Sequence, residues 1–451
     1  MKAVVWLSAA LLAAANALAA PLKVPPLAFG ERTLANGLQV VAVEDHSSPT
    51  VSVQVWYHVG SRDDPPGRSG FAHLFEHLMF KGTRYLKAEQ FDRLTEDVGG
   101  SNNAFTADDM TAYNEVVPSN HLERLLWAEA ERMSNLNVVD ANFKSERSVV
   151  EEEYRQSILA APYGRFFNAI PGAAYQVHPY KRPPIGSIED LEASTLADVI
   201  AFHTTYYRPD NATLVVAGDF EAKQLQAWVD KYFAPVARPG APIPRVTAQE
   251  PVWPSDRQVT ATGPQVPLPA VALIWQAPPV TSADAAALRV AAALLSAGES
   301  ARLNESLVYR QRLASQAGFD ADLRAGPGLL TAYAVAAGNK TPAQLAKALL
   351  AEVLRLAERP VPAPELAKVK TQLLTQALVG RQTPHGKASA LAEAAVLHGN
   401  TARANAVLEE LQRVSAADVQ RVMRHYVATT HKVTLSYTQD DRARKAEGAA
   451  K

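Results

Sequence analysis

A tripeptide that returns 220 residues later constrains the fold of this chain more than any other feature. Ala197-Asp198-Val199, followed by Tyr206 and an apolar run at 214–217, recurs as Ala417-Asp418-Val419, Tyr426 and a run at 433–437. Each copy reads as a capped helix leading into a strand, and each closes its half of the chain. Between the copies, six prolines (235, 239, 242, 244, 251 and 254) crowd into a segment that no helix or sheet interior tolerates. A chain of 451 residues with 47% hydrophobic content has material for two domains of about 200 residues each. We therefore expect an α+β protein with domains at 20–238 and 257–440, a proline-rich linker at 239–256 and a charged tail at 441–451. Strands are expected at 38–43, 51–56 and 270–275, and helices at 88–97, 120–133, 196–206, 283–295 and 342–358.

The chemistry concentrates in His73-Leu74-Phe75-Glu76-His77. In a helix, residues i and i+4 project from one face about a turn apart, so both imidazoles can reach one metal ion. Glu76 flanks them and supplies a carboxylate able to take a proton from water at the metal. The order H-x-x-E-H inverts the H-E-x-x-H of the commoner zinc peptidases. We expect Phe71, Leu74, Leu78 and Phe80 on the same face, where burying three polar groups is costly unless something binds them. A plain amphipathic helix with hydrogen-bonded histidines would have to meet that cost. Ser69 is the expected N-cap and Gly82 the expected stop.

A catalytic zinc usually takes three protein ligands and keeps one position open. The third is sought in 142–156, which reads as one long helix containing Glu146, Glu151, Glu152 and Glu153. Glu146 and Glu153 are two turns apart and face the same way, with Val149 and Val150 between them. Glu151 and Glu152 are expected to face solvent. Spacing alone leaves Glu153 divided between a ligand and one acid of a solvated surface run.

The stretch Gly70-Phe71-Ala72-His73-Leu74-Phe75-Glu76-His77-Leu78-Met79-Phe80-Lys81-Gly82-Thr83 resembles the active-site helix of the pitrilysin, insulysin and mitochondrial processing peptidase family. Gly99-Gly100 with Asn103-Ala104-Phe105-Thr106 resembles its substrate-binding edge strand, and Thr111-Ala112-Tyr113 the strand after it. Glu146-Arg147 followed by Glu153 resembles its second helix. Tyr207-Arg208-Pro209-Asp210-Asn211 and Val215-Val216-Ala217-Gly218-Asp219 resemble the end of its first domain. The resemblance implies one zinc per chain on His73, His77 and Glu153, with Glu76 as base and Glu146 as a carboxylate behind the ligands. A ligand imidazole needs an acceptor on its other nitrogen, which suits Glu146, although an acid stabilised by the helix dipole is the competing reading. It also implies two homologous domains, each a mostly antiparallel sheet packed with helices, facing each other as half of a clamshell. The substrate implied is an extended or unfolded peptide added as a strand along Asn103, Ala104, Phe105 and Thr106.

The second half lacks H-x-x-E-H and departs from the family pattern. Single-chain members place an Arg and a Tyr after an Arg-Leu there, to bind the substrate carbonyl. Arg302-Leu303 is present, but the Arg position holds Val308 and the Tyr position Ser315. Tyr309, Arg310 and Arg312 could serve only if the local register slips. The glycine-rich loop found in the regulatory subunit of the mitochondrial enzyme is absent too. We therefore expect the metal-bearing chain of a heterodimer whose homologous partner supplies the pair. A self-sufficient homodimeric peptidase and a non-catalytic assembly subunit are the alternatives.

The N-terminus reads as an export signal: Lys2, an apolar stretch at 3–15, and Ala17-Leu18-Ala19 as the cleavage site. A periplasmic protein without a remaining membrane anchor is expected, secretion being the other outcome. The chain has no cysteine, which excludes disulfides and a lipoprotein anchor. A net charge of −1 argues against nucleic acid as a partner.

Overall fold

The computed structural model describes residues 24–440. The expected signal peptide at 1–19 and tail at 441–451 lie outside them. Two sheets organise the chain. The first runs β1 (Gly30–Thr33), β2 (Gln39–Glu44), β6 (Ala212–Gly218), β3 (Thr50–Tyr57), β5 (Thr111–Pro118) and β4 (Ser101–Thr106). The second runs β7 (Arg257–Gly263), β11 (Val433–Gln439), β8 (Ala270–Ala277), β10 (Gly328–Ala336) and β9 (Ala314–Asp322). All neighbours are antiparallel except β2 with β6 and β7 with β11. With β1 set aside, the two orders correspond strand for strand, so the duplication extends to topology. The edge strand β4 has β9 as its counterpart.

The repeated tripeptide has a local cause. Thr195 Oγ1 accepts the amide of Asp198, whose carboxylate accepts the amide of Thr195 in return. Ser415 and Asp418 exchange the same pair of bonds. Each Asp therefore completes a capping box, at the start of Leu196–Tyr206 and of Ala416–Met423.

Both sheets are covered on two faces, which is why β3, β6, β8 and β10 are buried along nearly their whole length. Beneath sheet one lies a core built by Phe71, Leu74, Phe75, Leu126, Val199 and their neighbours. Its other face is covered by a helix of the second half, Pro384–His398, whose Ala388, Leu391 and Ala392 meet Val41, Trp56, Val215 and Ala217. Reciprocally, Gly164–Ala174 of the first half lays Phe166, Ala173 and Ala174 on Ala270, Ala272, Ile274 and Leu435 of sheet two. The halves thus exchange helices. No helix or strand forms between Tyr232 and Arg257, yet this segment is tied down. Glu250 accepts the amides of Gln176, Val177 and His178, and Trp253 is buried. Among the described residues no helix is long and apolar enough to cross a membrane.

Candidate metal centre

The motif helix runs Phe71–Leu78. Its N-terminus is not capped by Ser69, whose hydroxyl instead bonds Asp190. The buried Asp64 carboxylate accepts the amides of Gly70 (2.7 Å) and Ala72 (2.9 Å). Gly70 sits at φ 93°, with Ile185 O 2.9 Å from where a Cβ would be, so both conformation and space require glycine. The helix stops at Leu78, before Gly82, which adopts φ 119° in the turn beyond.

The expected sharing of one face is corrected for Phe71, Leu74 and Leu78, whereas Phe80 does line the same cleft as Glu76 and His77. Phe71, Leu74, Phe75 and Leu78 are fully buried in the core, whereas His73, Glu76 and His77 project from the opposite side. Glu76 and His77 line a cleft rather than the apolar interior, and His73 sits more deeply beside them. His73 and His77 stand with ring centroids 5.0 Å apart and planes nearly perpendicular.

The helix Asp140–Tyr154 crosses this face. Glu153 Oε2 lies 3.6 Å from Nε2 of His73 and 3.6 Å from Nε2 of His77. One ligand atom from each of these residues falls within 4.8 Å of the others. Burial, and secondarily the charge of His77, push the His73 imidazole down to about 4, so it is neutral at physiological pH, the form that binds metal. Two imidazoles and a carboxylate at this spacing fit a tetrahedral zinc ion with one position left open.

Glu146, 5% exposed, lies behind His77: Oε2 is 3.6 Å from Nδ1, and Oε1 is 3.2 Å from Lys81 Nζ. Burial works to raise its carboxyl, but His77 and Lys81 outweigh that and hold it below the usual glutamate range. His73 has no such support; its Nδ1 is buried without a partner. Glu151 does not face solvent as expected. It lies between Arg147 (3.7 Å) and Arg155 (3.4 Å), and only Glu152 is solvated.

Glu76 is approached from the edge strand. Thr106 Oγ1 donates a 2.7 Å hydrogen bond to its Oε2. Burial pushes the Glu76 carboxyl up, and the Thr106 bond opposes it. A cleft of about 280 Å³ joins Glu76, His77, Phe80 and Glu146 to Asn102, Asn103 and Ala104. Phe105 lies on the opposite face of β4, its ring edge-on to Trp56 at 5.3 Å. β4 pairs with β5 alone, and the Ala104 amide is taken by the Asn103 side chain at 2.9 Å. None of Val308, Tyr309, Arg310, Arg312 and Ser315 lines this cleft. Tyr309 is exposed and bonded to Glu299, and Ser315 Oγ turns to Val335 O. The Thr106 bond, the Lys81 contact and the Asp64 cap lie beyond what the sequence predicts. Only Asp64 leaves a trace in the sequence, as an acid in a proline turn ahead of the helix.

Residues 39–187 match the family model described as insulinase (peptidase family M16), and residues 194–373 match the peptidase M16 inactive domain. The zinc protease PqqE of Helicobacter pylori is 37% identical over 333 residues, covering 72% of this chain and 73% of that protein. The crystal structure of a protease from Helicobacter pylori superposes with TM-score 0.87 at 31% identity, over 91% of this chain and 99% of the other. The periplasmic protease PqqL of Escherichia coli shares the fold at TM-score 0.74 and 20% identity, over 94% of this chain but 49% of its own.

Proposed function

This chain belongs to the M16 peptidase family, and on that premise we propose that it is a zinc-dependent endopeptidase acting on extended or unfolded peptides. The observation carrying the proposal is Glu153 Oε2, equidistant at 3.6 Å from the two imidazoles, beside an acid that is itself bonded to an unpaired sheet edge. His73, His77 and Glu153 would hold one zinc, and the naming of relatives as zinc proteases supports that metal. When bound, zinc supplies Lewis acidity, acidifying water and polarising a carbonyl.

The remaining work falls to side chains of this protein. Glu76 receives the proton of the attacking water at Oε1, because Oε2 is engaged by Thr106. Glu146 orients His77 through Nδ1. A peptide pairs along β4 through main-chain bonds, displacing the Asn103 side chain from the Ala104 amide. Such pairing reads backbone rather than sequence, and excludes folded substrates.

The missing Arg and Tyr favour a heterodimer over a self-sufficient homodimer. Val308 and Ser315 provide no equivalent donors, so a homologous chain would supply them in trans. Export to the periplasm through residues 1–19 fits the same picture.

The test is metal analysis and hydrolysis of an unstructured peptide by the full chain, with and without a homologous partner, beside Glu76→Gln. The expected result is one zinc per chain in both proteins and turnover in the wild type only. A Glu76→Gln protein that cleaves within a few-fold of wild type would remove Glu76 as the base, and zinc-free wild type would remove the reading altogether.

A further inference from the structure

The turn joining β4 to β5 is wedged between the two halves, and its outer contact comes from the half without a metal site. On the near side, Ser61 N donates to Ala107 O (3.1 Å) and Arg62 N to Asp108 O (3.2 Å). The approach is so close that a Cβ on Gly60 would fall 2.3 Å from Ala107 O. On the far side, the turn between β9 and β10 presents Arg324. Its Nη1 lies 3.2 Å from Asp108 Oδ2, and its guanidinium also binds Asp322 at 2.6 Å. The Tyr180 ring packs against that guanidinium with its centroid 4.7 Å away. Asp109 completes the wedge, accepting the Ala325 amide at 2.8 Å and bonding Arg62 and the Tyr180 hydroxyl.

We propose that Arg324 is a positioning residue for the substrate-binding edge: by fixing Asp108, it makes the second half hold β4 in register against the motif helix. Asp108 is two residues from Thr106, the residue that bonds Glu76. An edge strand has a neighbour on one side only, so its end is normally the first part of a sheet to open. Here the end is clamped by a charge that is nine-tenths buried, hydrogen-bonded to Asp322 through Nε and Nη2 and ion-paired with Asp108 through Nη1, which makes no hydrogen bond of its own. Such a contact specifies a position more than it adds stability. An arriving peptide therefore meets a strand already straight, and does not spend binding energy ordering it.

This inference rests on the peptidase reading for its activity arm, but not for its structural arm. Arg324→Gln, Asp108→Asn and the double substitution, which removes both charges together, are compared in the full chain. The readouts are zinc content, amide hydrogen exchange of β3 and β4, and KM and kcat on an unstructured peptide. The expected result is unchanged zinc and unchanged β3 exchange, at least tenfold faster exchange in β4, and KM raised at least fivefold with kcat within twofold. Arg324→Lys should fall between, keeping the charge without the fork that spans Asp108 and Asp322. Unchanged β4 exchange would overturn the proposal, and so would equal acceleration of β3 and β4, which marks mere loss of fold stability. If the wild type cleaves no peptide, the peptidase reading fails while exchange still decides the role of Arg324.

Discussion

Thr106 Oγ1 donates to Glu76 Oε2 at 2.7 Å, so the strand expected to receive the peptide also orients the expected base. Thr106→Val keeps the shape and removes the donor. It should leave zinc in place and lower kcat by about tenfold, a fraction of what a positioned base contributes. An unchanged kcat, measured on zinc-replete protein, would show that Glu76 is oriented by something else.

Replacing His73, His77 or Glu153 by Ala should reduce zinc retained after dialysis to a trace, because one of three ligands is gone. Glu152→Ala, on the exposed neighbour, should retain one equivalent. Full zinc in Glu153→Ala would move the third ligand to Glu146, the other acid within reach of His77.

The isolated chain should hydrolyse peptides weakly, and a homologous partner carrying Arg and Tyr should raise turnover by about a hundredfold, the effect of restoring an oxyanion donor. Tyr309→Phe and Arg312→Ala should change the rate less than twofold. A fast isolated chain that Arg312→Ala abolishes would favour the self-sufficient enzyme.

His178 is 4% exposed, accepts the Tyr180 amide at Nδ1, and is pushed down to about 4, chiefly by burial. Its folded value lies below the unfolded 6.5, so only the unfolded chain takes up the proton between those limits. The histidine's contribution is therefore full above pH 6.5 and falls as pH drops toward 4, by up to about 1.4 kcal/mol per pH unit. Urea unfolding at pH 7, 6 and 5 should show this slope, and His178→Asn should reduce it by one proton. An unaltered slope would show that His178 does not carry it.

Much of the site was legible because its chemistry is local. Two imidazoles at i and i+4 must share a helix face, and Glu146 and Glu153 must share another two turns apart. The strands at 39–44 and 50–57 and the helices at 196–206 and 342–358 were legible from periodicity. What could not be read is where faces go. The helix Pro384–His398 carries Ala388, Leu391 and Ala392, which say that it is buried but not against which sheet. Its attachment depends on Gln54, a fully buried polar residue in β3 that donates to His385 O at 3.1 Å. Asp64 is not legible as a cap because it reaches its helix across a turn rather than from the adjacent position. Glu151 reads as solvated in the sequence because its pairing with Arg147 and Arg155 depends on how the side chains fold back along the helix.

The exchanged helices bear on how such a chain arose. Either half alone would leave one face of its sheet bare, showing Trp56 and Val215 in one case and Ile274 and Leu435 in the other. A lone ancestor of the repeat would have aggregated or paired with a copy of itself, each lending the other a helix. Joining two such genes end to end turns that loan into an internal debt, and lets the copies diverge. In the present chain one half carries the histidines, and the other carries the helix that covers the sheet beside them.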